Sequence, residues 1–115
     1  LWRFRCEDEV RASPLLYNGI LYIGAYDHNV YALDPQEGEF LWKYPAESGI
    51  CTTPCVSQDK ILFGSEDHIF YAVGNRTGRL AWRFATQGRI RSSAIAAYGH
   101  VFFGSDDGCL YAAHW

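Results

Sequence analysis

The sequence predicts an all-β fold built from repeated four-stranded antiparallel units, and three observations carry that prediction. The first is a repeat of 40 residues that runs without insertion through Trp2, Trp42 and Trp82, through Gly24, Gly64 and Gly104, and through Asp27, Asp67 and Asp107. Tyr31, Tyr71 and Tyr111 keep the same period, as do Ala32, Ala72 and Ala112. The second is a period of two within each unit, in short β-branched and aromatic runs such as Ile20-Leu21-Tyr22-Ile23-Gly24 and Val101-Phe102-Phe103-Gly104. The third is turn chemistry at fixed offsets. Asn18-Gly19 and Asp107-Gly108 suit two-residue hairpins, and Gly38 and Gly78 mark a further turn.

In the first unit the strands are expected near 10–17, 20–25, 29–34 and 40–44, and the next two units follow at +40 and +80. Val10, Ile50 and Ile90, with Ser13, Thr53 and Ser93, place the innermost strand. The apolar run at 20–25 gives the second strand and Val30-Tyr31-Ala32-Leu33 the third. The outermost strand carries the tryptophan. Residues 1–4 read as the last strand of a unit that begins earlier, and the final unit stops short of its fourth strand. No stretch reads as a helix. The whole of 1–115 is thus one segment of three units, 1–40, 41–80 and 81–115.

Four antiparallel strands repeated in series are the signature of a propeller blade. A small isolated sheet cannot bury both faces. Stacking blade on blade does, which accounts for strands that are apolar on both sides. The Gly-His and Trp-Asp marks of the WD-type repeat are absent. Propellers close with four to eight blades, so three blades' worth of strands calls for more. Further blades from the same parent polypeptide are expected, a view the lack of any Met favours; a second copy closing the ring head-to-tail is the alternative.

Hydrophobic residues make up 49% of the chain and charged residues 20%, a globular rather than a disordered composition. A formal charge of −3 argues against a nucleic-acid surface. No apolar run nears the roughly 18 residues of a spanning helix, so membrane insertion is not expected, and no signal-peptide pattern opens the sequence. Cys6, Cys51, Cys55 and Cys109 are too few for a disulfide scaffold. Cys51 and Cys55, read as lying on one strand, would stand about 13 Å apart, beyond a disulfide. Buried free thiols are expected, which tilts the reading towards a reducing compartment.

Ala32-Leu33-Asp34-Pro35-Gln36-Glu37-Gly38-Glu39-Phe40-Leu41-Trp42 has the form A-x-D-x-x-x-G-x-x-x-W. It resembles the tryptophan-docking motif of the quinoprotein-type, PQQ-like propeller repeat family. The second copy, at Ala72, Gly78 and Trp82, has Gly74 in the Asp place, and the third begins at Ala112 with His114 there. Gly104-Ser105-Asp106-Asp107-Gly108-Cys109-Leu110-Tyr111-Ala112 matches the family's preceding motif. The resemblance implies a structural role for Trp2, Trp42 and Trp82, each ring packed between blades with its indole N–H bonded to backbone. Ala32, Ala72, Gly38 and Gly78 would leave room for them.

Quinoprotein dehydrogenases of the family use a vicinal Cys-Cys disulfide, calcium ligands and a catalytic Asp. No Cys-Cys pair occurs here, so no catalytic, cofactor-binding or metal residue is assigned and no cofactor is expected. Asp27, Glu66, Asp67, Asp106 and Asp107 read as turn residues. His28 and His68 read as surface turn residues a blade's width apart, too far to share zinc, and His100 and His114 show no partner. Asn75-Arg76-Thr77 has the form of a glycosylation acceptor but coincides with a turn motif. The resemblance is to the non-enzymatic branch, such as propellers of outer-membrane barrel assembly and repeats attached to bacterial kinases; it allows a periplasmic location.

Function is expected where the frame stays fixed and the chemistry varies. The linking segments 5–9, 45–49 and 85–89 differ in every unit. Glu7, Asp8, Glu9, Glu47 and Gln87, with Arg11 and Arg91 beneath them, are the candidate contacts for a protein partner. The alternative is a fragment of a PQQ-dependent dehydrogenase whose cofactor site lies in other blades.

Overall fold

The structure, a computed structural model, describes residues 1–114; Trp115, the last residue of the third unit, lies outside them. Eleven strands form three antiparallel sheets. The first sheet orders β1 (Leu15–Tyr17), β2 (Ile20–Gly24), β3 (Asn29–Leu33) and β4 (Phe40–Pro45) consecutively. The second repeats this with β5 (Cys55–Ser57), β6 (Lys60–Gly64), β7 (Ile69–Gly74) and β8 (Leu80–Ala85). The third has β9 (Ile95–Ala97), β10 (His100–Gly104) and β11 (Leu110–His114). Among the described residues there is no helix. These are propeller blades.

Two sequence expectations change. The innermost strand is three residues long, not eight, and it is just as short in the third blade, where Ala94 stands in the place of Pro14 and Pro54. The residues before them bond elsewhere: Ile50 N–H donates to Ala25 O of the preceding blade at 3.1 Å, and Ile90 N–H to Ser65 O at 3.1 Å. Cys51 therefore precedes β5 and does not share a strand with Cys55. Residues 1–4 form no strand, since no described strand lies beside them to pair with. Trp2 and Phe4 still pack on the first blade, Phe4 edge-on to Tyr31 at 5.2 Å.

The blades stack through alternating faces of the same strands. In the middle blade Ile61, Phe63, Tyr71 and Val73 face a core shared with Tyr22, Val30 and Trp42. Leu62, Phe70 and Ala72, between them in sequence, face Val101 and Phe103 on the other side. Phe70 and Phe103 stack at 4.1 Å with planes 6° apart. Interlocking is tightest at the repeated glycines. A Cβ on Gly24 would lie 2.4 Å from Ile50 Cγ2, and one on Gly64 would lie 2.1 Å from Ile90 Cγ2. The Ser/Thr repeat stitches neighbours: Ser13 N–H donates to Thr53 Oγ1 at 3.2 Å, and Thr53 N–H to Ser93 Oγ at 2.9 Å.

Trp2 and Trp42 each lie on the outer hairpin of the following blade. A Cβ on Gly38 would meet Trp2 Cε3 at 2.4 Å, and one on Gly78 would meet Trp42 Cε3 at 2.5 Å. Ala32 and Ala72 sit opposite Trp42 and Trp82 on the neighbouring strand of the same blade, where a larger side chain would compete for space. The indole hydrogen bond, however, is made once. Trp2 Nε1–H donates to Pro35 O at 3.0 Å, whereas Trp42 Nε1 and Trp82 Nε1 are buried without a partner among the described residues. For Trp42 the corresponding acceptor, Asn75 O, receives the Tyr22 hydroxyl at 2.7 Å instead.

Candidate functional site

One edge of the sheets carries both the linking segments and the turns between the second and third strands. Tyr26, Glu66 and Asp106 donate their N–H groups to Glu9 O, Gly49 O and Arg89 O at 2.7, 3.0 and 2.8 Å. Two sets of side chains share this edge, and they behave differently.

The repeated set is structural. Asp27, Asp67 and Asp107 each cap their own turn, accepting from the N–H of Asn29, Ile69 and Cys109 at 3.1, 3.0 and 2.9 Å. Each also accepts the hydroxyl of Tyr31, Tyr71 or Tyr111, at 2.5 Å for the last two. Each then reaches the linking segment, taking the N–H of Glu7, Glu47 or Gln87 at 3.0, 3.0 and 3.1 Å. Burial pushes the Asp27 carboxyl up, but the hydrogen bonds from Tyr31, Glu7 and Asn29 outweigh it and hold it below the usual aspartate value. At Asp107 the Tyr111 hydroxyl is the main cause of the same lowering, and the Tyr111 phenol is pushed up to about 12 in return.

The variable set forms a strip across the three blades, from the positions of residues 9, 11 and 26 and their equivalents. Arg11 pairs with Glu9 Oε1 at 2.7 Å and lies over the Tyr26 ring at 4.2 Å. Tyr26 donates its hydroxyl to Glu66 Oε1 on the next blade at 2.6 Å, and Cys51 Sγ stands 3.6 Å from Glu66 Oε2. Asp106 Oδ2 takes Arg91 Nε at 2.9 Å and lies 3.7 Å from Arg89 Nε. Glu9, Glu66 and Asp106 thus balance Arg11, Arg89 and Arg91. Burial, and then the Glu66 charge, push the Cys51 thiol up and keep it protonated at neutral pH.

All seven candidate contacts, Glu7, Asp8, Glu9, Arg11, Glu47, Gln87 and Arg91, are exposed on this edge. Glu9, Arg11 and Arg91 belong to the strip; Glu7, Glu47 and Gln87 have their backbones held by the repeated aspartates and flank it. Sequence reasoning missed Tyr26, and it placed Glu66 and Asp106 with the turn residues. Of the five acids read as turn residues, only Asp27, Asp67 and Asp107 cap turns. The signal was available: 26, 66 and 106 differ at every repeat while 27, 67 and 107 do not.

Elsewhere, all four cysteines are free; Cys109 is exposed and the other three are half-buried, so the expectation of fully buried thiols is corrected. Burial raises the Cys55 thiol to about 11. His28 and His68 are exposed turn residues with φ of 82° and 77°, where the third blade has Gly108 at 87°. Asn75 is 4% exposed, which leaves its sequon little access. His100 and His114, without a partner in the sequence reading, face each other across β10 and β11 with ring centroids 4.2 Å apart.

The family described as outer membrane protein assembly factor BamB matches residues 1–114. The chain belongs to that family of PQQ-like propeller repeats. No curated protein matches the sequence at a significant level. Among solved structures it is similar to BamB from Moraxella catarrhalis, with a TM-score of 0.83 and 21% identity over 96% of this chain. It is also similar to the quinohemoprotein alcohol dehydrogenase ADHIIG from Pseudomonas putida HK5, with a TM-score of 0.85 and 22% identity over 98% of this chain. At such identities the likeness is one of fold. The chain spans 35% of the length of the first and 20% of the second. The BamB-family blade is therefore a frame shared by a protein named for assembly and by an enzyme.

Proposed function

We propose that this segment is a non-enzymatic, protein-binding part of a larger propeller, and that its partner docks on the edge bearing the variable strip. The observation that carries the reading is the division of labour on that edge. Repeated aspartates hold the backbone identically in each blade, while Glu9, Arg11, Tyr26, Glu66, Arg91 and Asp106 present different chemistry at equivalent places. A strip that alternates in charge and contains an aromatic ring suits a polar protein surface; it offers no single-sign path for a polyanion. Membership of the BamB family supports the same view. The chemistry of a quinone site finds no counterpart among the described residues. The cysteines are dispersed, and the strip's carboxylates are engaged by tyrosine or arginine.

The full-length parent protein, carrying a photo-cross-linking residue at Glu66 or Arg91, should capture one protein partner in its own cells. A probe at Asn18, exposed in the turn at the opposite end of the strands, should not. Replacing Arg11 and Arg91 by Glu together with Glu66 by Lys should weaken that binding more than any single change. If the triple variant binds as well as the parent, the wrong edge has been chosen. Quinone- and calcium-dependent oxidation of alcohols or sugars by the full-length protein would refute the non-enzymatic reading.

A further inference from the structure

The His100–His114 pair stands apart from the variable strip and from every contact used so far. Its place in the blade is set by register. His100 opens β10 and His114 closes β11, and the two are direct cross-strand partners. The corresponding places hold Ile20 and Asp34 in the first blade, and Lys60 opposite Gly74 in the second. The pair is therefore peculiar to the third blade, so the architecture of the repeat does not demand it.

We propose that His100 and His114 form a two-histidine chelate for a divalent transition metal of the Ni²⁺ or Cu²⁺ kind. Three features support this. The rings are adjacent, with centroids 4.2 Å apart and planes inclined by 43°. His100 Nδ1 is 3.0 Å from Tyr98 O. A carbonyl can only accept, so Nδ1 carries the proton and Nε2 keeps its lone pair. That outer hydrogen bond is the one a metal-binding histidine commonly makes. The equivalent places, Asp34 and Gly74, stay partly exposed in blades that carry all four strands, so a pair at this position is open to an ion from solvent.

The spacing also selects the geometry. An imidazole nitrogen about 2.1 Å from an ion puts its ring centroid about 3.2 Å from that ion. Two such centroids 4.2 Å apart subtend about 80° at the ion, close to the right angle between cis ligands of a tetragonal or octahedral site. A tetrahedral ion would need the centroids about 5.2 Å apart. Among the described residues no third His, Cys, Asp or Glu joins the group, so water would complete the coordination.

Titration of the full-length parent protein with Ni²⁺ alone, followed by calorimetry and by NMR of the histidine ring nitrogens, tests the site. One ion per chain is expected. The paramagnetic ion should broaden the His100 and His114 resonances before those of His28 and His68. His114→Ala, at an exposed position, and His100→Ala should each weaken binding at least about tenfold, the loss that even an outer partner of a metal ligand can produce. A His28→Ala/His68→Ala double variant should bind as the parent does. Absence of Ni²⁺ binding, broadening first at His28 or His68, or undiminished binding in both single variants would overturn the proposal. The ring-broadening readout needs no variant to fold.

Discussion

Asp67 and Glu66 are neighbours in the chain and lie in the same turn, yet they belong to different parts of the molecule. Asp67 accepts from Ile69, Tyr71 and Glu47 and so ties turn, strand and linking segment together, as Asp27 and Asp107 do in their blades. Glu66 spans blades instead, taking the Tyr26 hydroxyl from one side and standing beside Cys51 on the other. Its equivalents, Tyr26 and Asp106, do different things. The contrast teaches that in a repeated frame the holding residues recur and the presenting residues diverge, even one position apart.

The largest effect should come from attacking the frame at a blade junction. Gly78→Val would drive a branched side chain into the Trp42 ring at a φ of 72°, and a loss of about 3 kcal/mol is expected in chemical denaturation. Gly108→Ala, at a φ of 87° with no atom within 4 Å of its Cβ, should cost only about 1 kcal/mol. Equal losses would show that backbone strain, not ring packing, governs the junction.

Next in size is the direct comparison of the two acids. Asp67→Ala leaves the Tyr71 hydroxyl and two N–H groups short of their acceptor and should destabilise by about 2 kcal/mol. Glu66→Ala should change stability by less than about 1 kcal/mol and instead reduce partner capture at the strip. If both variants lose stability alike, the division between holding and presenting residues fails.

Acid should weaken the frame. Asp27 and Asp107 have folded-state values below the ordinary one, so their contribution is present above about pH 4. It is lost as pH falls through the lowered values, because the unfolded chain binds the proton first. Melting followed from pH 7 to pH 2 should show the decline, and Asp27→Asn should flatten it. The smallest effect is a gain. His28→Gly relieves an L-residue held at a φ of 82° and should raise stability by about 0.5 kcal/mol, the flexible unfolded glycine offsetting part of the relief.

Much of this was legible in the sequence. The 40-residue period placed the blades, and the alternation of Ile61, Leu62 and Phe63 told of two buried faces, because a strand's side chains point to opposite sides at every step. Gly38 and Gly78 were readable as space for a ring, since their motif pairs them with a tryptophan. Three things were not. The pairing of Asn75 O with the Tyr22 hydroxyl, beside a Trp42 indole that has no partner among the described residues, depends on how side chains of different strands settle between the blades. The link from Tyr26 to Glu66 joins residues 40 apart, in two blades, and arises only when the blades stack. His100 and His114 meet because the β10–β11 register sets them opposite each other, and a one-residue slip would have turned them to opposite faces. Local sequence determines which residues form strands and turns, for those depend on near neighbours along the chain. Which side chains of different strands and blades touch is a matter of register and stacking, and that the tertiary structure alone decided.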